Sequence, residues 1–410
     1  MSAPTDSFPA RGDLTVRGGL IVDRGRAAES FADVVAADGL LTHIAPDAEG
    51  PPGLTLDAQG CTVVPGFVDI QVNGAFGIDL TNEPHRIPEV ASQLVRFGVT
   101  AFCPTVITGP DTIVPEAIRA LREIRRAGSG LTPGSARVLG LHVEGPFLAP
   151  GRPGAHPAEH IRSPSLSEVR SWLELVRAGP DAVNLLAILT IAPELPGALD
   201  VIDLLARAGV TTCAGHTDAS AREIAAAEAR GLTGVTHLFN AMSPFGHREP
   251  GAVGATLASE GLIAGIIADG VHVDPATIRI AWRLLGAQRI ALVSDSIAAL
   301  GLGDGSFELG EVTVNVSNGA ARTTEGVLAG SVLSMDQAVR NLIAYTGCTL
   351  SQACRAAATT PARLVGAAGA GLGRLATGRP ADLTLLNESH QVVATVVGGT
   401  VCHDPEGRVI

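Results

Sequence analysis

Eight apolar runs rich in β-branched residues punctuate the middle of the chain, spaced so that a helix fits between each and the next. They are "TVVPGFVDIQV" (62–72), "VTAFCPTVI" (99–107), "RVLGLHVE" (137–144), "NLLAILTIA" (184–192), "VTTCAGH" (210–216), "GVTHLF" (234–239), "LIAGIIAD" (262–269) and "RIALVSD" (289–295). Strands that read as apolar on both faces belong in a parallel sheet wrapped by helices. The intervening segments read as helices, among them "PDTIVPEAIRALREIRRAG" and "DPATIRIAWRLLGA", the latter with Asp274 as N-cap and Pro275 at the first helical position. "SAREIAAAEARG" pairs Ser220 with Glu223 in a capping box and ends on Gly231. Eight β-then-α units predict an α/β fold, a TIM-type (β/α)8 barrel.

The ends of the chain follow another pattern. "DLTVRGGLIVD", "ADVVAADGLLTHIAP" and "LDAQGCTVV" near the start, and "ADLTLLN" and "QVVATVVGGTVCHD" near the finish, are short strands broken by Gly and Pro. They predict one small β-sandwich built from both termini, with "GRLATGRP" (373–380) leading back to it. The resulting division is 1–64 and 373–410 for the sandwich and 65–372 for the barrel.

Composition sharpens this picture. The 410 residues exceed one ordinary core, while 46% hydrophobic and 17% charged residues argue for a large buried interior and against disorder. Lys plus Arg number 29 against 41 Asp plus Glu, a formal charge of −12, and no basic run stands out, so nucleic acid and anionic membrane are poor partners. The opening "MSAPTDSFPARGDL" has no basic segment followed by an apolar core, and no stretch of about 18 uninterrupted apolar residues occurs. Six scattered cysteines, none in a C-x-x-C pair, read as small buried hydrophobes in a reducing compartment. A cytoplasmic protein is expected.

The barrel reading gives the polar residues a shared location, because TIM-barrel enzymes work at the C-terminal ends of their strands. Gln71 and Asn73, Glu144, His216, His237, Asp269 with His272, and Asp295 mark those ends. A strand's period of two points His142 and Glu144 to the same face, and a carboxylate ending an apolar strand needs a cation, a proton or several donors. Taken singly, each histidine reads as a hydrogen-bonded interior residue. Together, Glu144, His216 and His237 offer two imidazoles and one carboxylate, the ligand set of a catalytic divalent ion with an open fourth position. Zinc suits that set best, with iron and manganese also compatible. Asp295 reads equally as the N-cap of a following helix or as the general base beside the metal. His142 reads as a structural neighbour.

In order along the chain, "PGFVDIQVNG", "GLHVEGPF", "PGAHPA", "AGHTDA", "THLFNAM", "REPGAVGA", "IIADGVHVD" and "VSDS" resemble the successive motifs of the N-acetylglucosamine-6-phosphate deacetylase family of the amidohydrolase superfamily. The resemblance spans roughly 62 to 335, and "GRPADLTLL" resembles that family's sandwich. It implies one divalent metal per subunit on Glu144, His216 and His237, with Asp295 as catalytic aspartate and His156 polarising the amide carbonyl. It further implies substrate contacts from Ala155, His156, Asn240, Ala241, Arg248, His272, Leu328, Ala329 and Gly330. The substrate class so implied is an amino-sugar phosphate, and the arginine would reach the neighbouring subunit's site in a homodimer. Each contact has a plainer reading: a solvated loop histidine for His156, a surface pair with Glu249 for Arg248, a turn cap for His272, and strand-end backbone satisfaction for Asn240.

Two features depart from the wider superfamily. Gln71-Val72-Asn73 stands where most amidohydrolases carry a His-x-His pair, which removes two imidazoles from a second metal site. "SDSIAALGLGDG" differs from the commoner Asp-Ala wording after the catalytic aspartate. Other readings are an amidohydrolase acting on the 4-epimer or on a cyclic amide, a metal-free scaffold barrel, and a purely structural metal.

Overall fold

Phe67–Val72, Val99–Ile107, Leu141–Glu144, Leu186–Ile191, Thr211–Ala214, Gly234–Val235, Ile263–Ile266 and Ile290–Leu292 lie side by side in that order, every hydrogen-bonded pair parallel. The computed structural model describes residues 12–410 apart from 23–28, 52, 128–133 and 179–184. The opening segment, on which the expectation of no leader rested, falls largely outside the described residues, as do Gly128 and Asn184 at the edges of two anticipated elements. The eighth strand closes onto the first through main-chain bonds beyond the regular ladder. Asp295 N donates to Gln71 O at 3.0 Å, Asn73 N donates to Ser296 O at 2.8 Å, and Val72 forms a parallel bridge with Ser296.

Why these strands form a barrel is visible in their burial. All nine residues of the second strand and all six of the first are buried, which only a sheet covered on both faces allows. Helix Ile113–Arg126 supplies part of the cover, burying Val114, Ala117, Ile118 and Leu121 along one stripe. The anticipated caps are present. Asp274 accepts from Ala276 N with Pro275 in the first turn, and Ser220 and Glu223 close a full capping box on helix Ala221–Glu228.

Strands from both ends of the chain pair in a second sheet with its own apolar core, including Leu14, Val16, Ile21, Val63, Leu383 and Val396. Thr62–Pro65 is its junction, bonding in parallel to Leu14–Ile21 and antiparallel to Leu383–Leu386. The run read as one strand over 62–72 therefore divides at Gly66. A Cβ at that position would lie 2.2 Å from Thr100 Oγ1, so only glycine lets the chain cross from one sheet to the other so close to the second barrel strand.

Of the anticipated strands that end early, three stop just before a candidate site residue. The run over 234–239 is a strand only at Gly234–Val235, that over 210–216 at Thr211–Ala214, and that over 289–295 at Ile290–Leu292. In each the backbone then turns left-handed at a polar residue: His237 at φ 26°, His216 at 49° and Asp295 at 50°. A three-stranded antiparallel sheet that the apolar runs did not reveal, Gly305–Leu309, Val312–Ser317 and Ala320–Thr323, follows the eighth strand. Its buried Leu309, Val314 and Val316 pack with Ile107 and Ile297 at the strand ends. Among the described residues no helix is long and apolar enough to cross a membrane.

Candidate active site

Glu144 ends the third barrel strand, and His216 and His237 follow the fifth and sixth. All three are buried, and their side chains converge. His237 Nε2 lies 2.9 Å from Glu144 Oε1, His216 Nε2 lies 3.3 Å from the same oxygen, and the two Nε2 atoms are 3.1 Å apart. Burial pushes the Glu144 carboxyl up, but hydrogen bonds from His216 and His237 outweigh it and hold the group well below the usual carboxylate range. Burial works against a charged His237, yet the Glu144 hydrogen bond and charge raise its pKa.

The donor set fits a divalent ion. Ligand atoms around a tetrahedral zinc stand about 3.3 Å apart, close to the spacing of these three. The tautomer of His216 agrees. Its Nδ1 lies 3.0 Å from Arg152 O, which can only accept, so one ring proton sits there, and Nε2, the nitrogen that hydrogen-bonds Glu144, becomes a ligand by giving up its own proton. A second grouping of Glu159, His160 and Glu311 lies at the surface, where His160 Nε2 simply pairs with Glu311 Oε2 at 3.1 Å.

Asp295 stands at the seam between the eighth and first strands. It caps no helix among the described residues, so its N-cap reading fails; the next helix, Met335–Thr346, begins after Ser334. Its Oδ1 accepts from Asn73 Nδ2 at 2.7 Å, and its carbonyl accepts from Ser331 N at 2.8 Å. Burial first, and the charge of Glu144 second, push its carboxyl up to about 7. It is a buried acid poised to gain or lose a proton near neutrality.

His156 reaches the cluster from the loop after the third strand, with Nε2 3.9 Å from Glu144 Oε2. Thr108 N, which can only donate, lies 3.3 Å from its Nδ1, so Nδ1 holds the lone pair and Nε2 carries the proton of the neutral ring. Burial and then the neighbouring His216 push its pKa down to about 3, so the ring is neutral and offers an N–H donor to the site.

The other expected residues are placed as follows. Gly330 packs against Asp295, since a Cβ there would lie 2.9 Å from Asp295 O; Leu328 bridges Arg322, and Ala329 is buried beside them. Asn240 donates its amide to His237 O at 3.2 Å, and Ala241 O accepts from Thr217 N, so both are tied to the two histidine turns. Ala155 packs against the core of the small antiparallel sheet. His272 Nδ1 lies 2.6 Å from Asp269 Oδ2, while Asp269 Oδ1 accepts from the backbone of both Val271 and His272; Asp269, not His272, caps that turn. Arg248 is exposed, and neither an ion pair with Glu249 nor a contact with the cluster is present among the described residues.

One participant was not anticipated. Thr108 orients His156 twice, its N–H at 3.3 Å and its hydroxyl at 2.9 Å both donating to Nδ1; its only signal was a hydroxyl at the end of the second strand. His142 is the structural neighbour expected, its Nδ1 on Ile70 O at 2.9 Å and its Nε2 on Thr190 Oγ1 at 2.8 Å.

Comparison with known proteins bears on this arrangement. The amidohydrolase family model matches residues 62–402. The human N-acetylglucosamine-6-phosphate deacetylase is 38% identical over 402 residues, covering 95% of this chain and 91% of that protein. The Bacillus subtilis enzyme of the same name is 33% identical over 83% of this chain and 84% of its own length. Among solved structures, the Mycobacterium smegmatis N-acetyl-D-glucosamine-6-phosphate deacetylase in complex with N-acetyl-D-glucosamine 6-phosphate superposes with a TM-score of 0.83 at 31% identity, covering 96% of this chain and all of that one. The Thermotoga maritima enzyme gives 0.84 at 31% identity, covering 95% of this chain and 99% of that one.

Proposed function

This chain belongs to the amidohydrolase family, and we propose that it hydrolyses the acetamide of N-acetylglucosamine 6-phosphate to glucosamine 6-phosphate and acetate. It is an enzyme, a hydrolase of amino-sugar metabolism. The observation that carries the reading is the convergence of Glu144, His216 and His237 beside a buried Asp295 and a neutral, proton-bearing His156 Nε2.

Glu144, His216 and His237 would hold one divalent ion, most simply zinc, which when bound supplies a Lewis acid that makes water acidic and polarises the amide carbonyl. Asp295 takes the proton from the attacking water and later hands it to the leaving nitrogen. The His156 Nε2–H faces the charge that grows on the carbonyl oxygen and donates to it. Gly330 backs Asp295 on one side, with Ala329 beside it in sequence, and Asn240, Ala241 and His272 follow the sixth and seventh strand ends. We assign the sugar phosphate to these residues and to Arg248.

Arg248 acts across a subunit boundary in this reading. It is exposed, as is apolar Phe245 in the same loop, which supports a partner subunit covering that loop. All six cysteines are free, which supports a cytoplasmic location.

The test is metal content of the purified protein measured alongside acetate release from N-acetylglucosamine 6-phosphate and from its 4-epimer. One tightly held ion per chain and turnover favouring the first substrate are expected. A metal-free, inactive protein would sink the reading. Arg248→Ala should weaken capture of the phosphorylated sugar by roughly 2–5 kcal/mol while keeping its metal. Hybrids of Arg248→Ala with Asp295→Asn subunits should regain activity, because one site then pairs an intact Asp295 with the other chain's intact arginine. Hybrids shown to form yet inactive would place Arg248 in its own subunit's site.

A further inference from the structure

Gln71 and Asn73 stand where a second metal's ligands would be expected, and both amides are buried and occupied. Gln71 Nε2 donates to Glu144 Oε1 at 3.1 Å, and Asn73 Nδ2 donates to Asp295 Oδ1 at 2.7 Å. Each of the site's two carboxylates therefore receives one amide donor from the same face of the first strand.

The Asn73 contact is the more tightly built. Its main chain is fixed at both ends, N donating to Ser296 O and O accepting from Leu80 N, each at 2.8 Å. Asp295 is fixed in turn by main-chain bonds to Gln71 and Ser331. A carboxylate can only accept, so the amide must turn its NH2 toward Asp295. Its carbonyl oxygen Oδ1 is then left buried with no hydrogen-bond partner among the described residues. A fold that leaves a buried acceptor unpaired to keep one donor on a carboxylate oxygen has committed the side chain to that oxygen.

Resting on the deacetylase reading, we propose that Asn73 is a positioning residue for the reaction. By pinning Oδ1 it fixes the plane of the Asp295 carboxyl and leaves Oδ2 as the oxygen that carries the proton. In the first step a water O–H bond and the carbonyl π bond break, the water oxygen bonds to the acetamide carbon, the π pair moves to the carbonyl oxygen, and the proton moves to Oδ2. In the second the C=O bond re-forms as the C–N bond breaks, the proton passes from Oδ2 to nitrogen, and Asp295 returns to its starting state. Gln71 acts on the other carboxylate and steadies the oxygen that faces the histidines.

The experiment uses the zinc-loaded full chain and the variants Asn73→Ala, Asn73→Ser and Gln71→Ala. Zinc per chain, kcat, KM and the solvent deuterium isotope effect on kcat are measured for acetate release. Asn73→Ala should keep one zinc and a KM within about threefold of wild type, while kcat falls roughly 30-fold or more and the isotope effect rises as proton transfer becomes limiting. Asn73→Ser, which restores a donor, should recover part of kcat. Gln71→Ala should instead release zinc more readily. A kcat in Asn73→Ala within about threefold of wild type, a loss that follows zinc loss, or a serine variant no better than alanine would overturn the proposal. Wild-type protein that released no acetate would overturn the deacetylase reading instead. Crystals of zinc-loaded Asn73→Ala would still decide the positioning, an unchanged Asp295 carboxyl orientation counting against it.

Discussion

His216, His237 and Asp295 share a backbone feature that their side chains do not suggest: all three are non-glycine residues at positive φ. Such residues cost on the order of 1–3 kcal/mol each and persist where the surroundings over-determine them. Here the surroundings are bonds that span the barrel mouth, such as Leu238 N to Gly265 O, Thr217 N to Ala241 O and Asp295 N to Gln71 O. The turn is what swings each side chain off its strand and over the centre. Asparagine tolerates the left-handed region and can accept from Asn73, so Asp295→Asn should fold and keep its metal. It cannot take a proton from water, and turnover should fall by about 10³-fold or more. Metal content and acetate release measured on one preparation check this; a rate near wild type would remove Asp295 from the chemistry.

The elements that carry these residues were legible to unequal degrees. The eight-unit rhythm and the helix caps could be read because burial on both faces and capping chemistry leave local patterns, as in the nine buried residues of Val99–Ile107 and the Ser220–Glu223 box. Glu144, His216, His237 and Asp295 were legible as polar residues at apolar strand ends. The early stops at Val235, Ala214 and Leu292 were not, because an apolar run continues past them and only long-range bonds across the barrel turn the chain. Thr108 and Asn73 were silent as orienting groups for the same reason, their partners lying 48 and 222 residues away. The small antiparallel sheet was missed because Val312–Ser317 alternates valine with polar residues on a surface insertion and forms no apolar run. The segment leaving that sheet offers an element-scale test. Gly330 sits at φ 59°, and a Cβ there would lie 2.5 Å from Ile297 Cγ2 and 2.9 Å from Asp295 O. Gly330→Ala should therefore push on the turn that holds Asp295, destabilising the protein by about 1–3 kcal/mol and lowering kcat more than metal content. Thermal unfolding with acetate release checks it, and an unperturbed kcat would show that the turn yields without moving the base.

Across the whole molecule, a buried acid and a buried ion pair bear on stability. Asp69 lies on the barrel floor below the site, with Gln71 N and Ser294 N on its Oδ1, and burial pushes its carboxyl up to about 6. A raised acid binds its proton more tightly folded than unfolded, so its contribution is intact below about pH 4 and is lost as pH rises to about 6. Asp69→Asn keeps the accepting oxygen and should remove that fall, leaving the variant more stable than wild type above pH 6 by on the order of 2–3 kcal/mol. Urea midpoints of the two proteins in the same metal state, compared from pH 4 to 8, would show a parallel pair of curves if Asp69 were not responsible. The ion pair joins the two sheets. Arg137, in the short strand Arg137–Val138 beside the start of the second barrel strand, donates through Nε and Nη2 to both oxygens of Asp382 at 2.8 and 3.0 Å. Asp382 opens the C-terminal strands, and its Oδ1 also accepts from Gly398 N. Both side chains are under 5% exposed, so neither charge can fall back on water. Arg137→Met would strand a buried carboxylate and should cost about 3–5 kcal/mol, whereas adding Asp382→Leu should return most of that loss, short of the Gly398 bond. Because the pair lies toward the strand starts and the site beyond the strand ends, both variants should keep wild-type kcat at temperatures where they stay folded. Urea unfolding followed by fluorescence and by activity would decide it: a single variant costing under about 1 kcal/mol would mean the two sheets are held by their apolar contact alone.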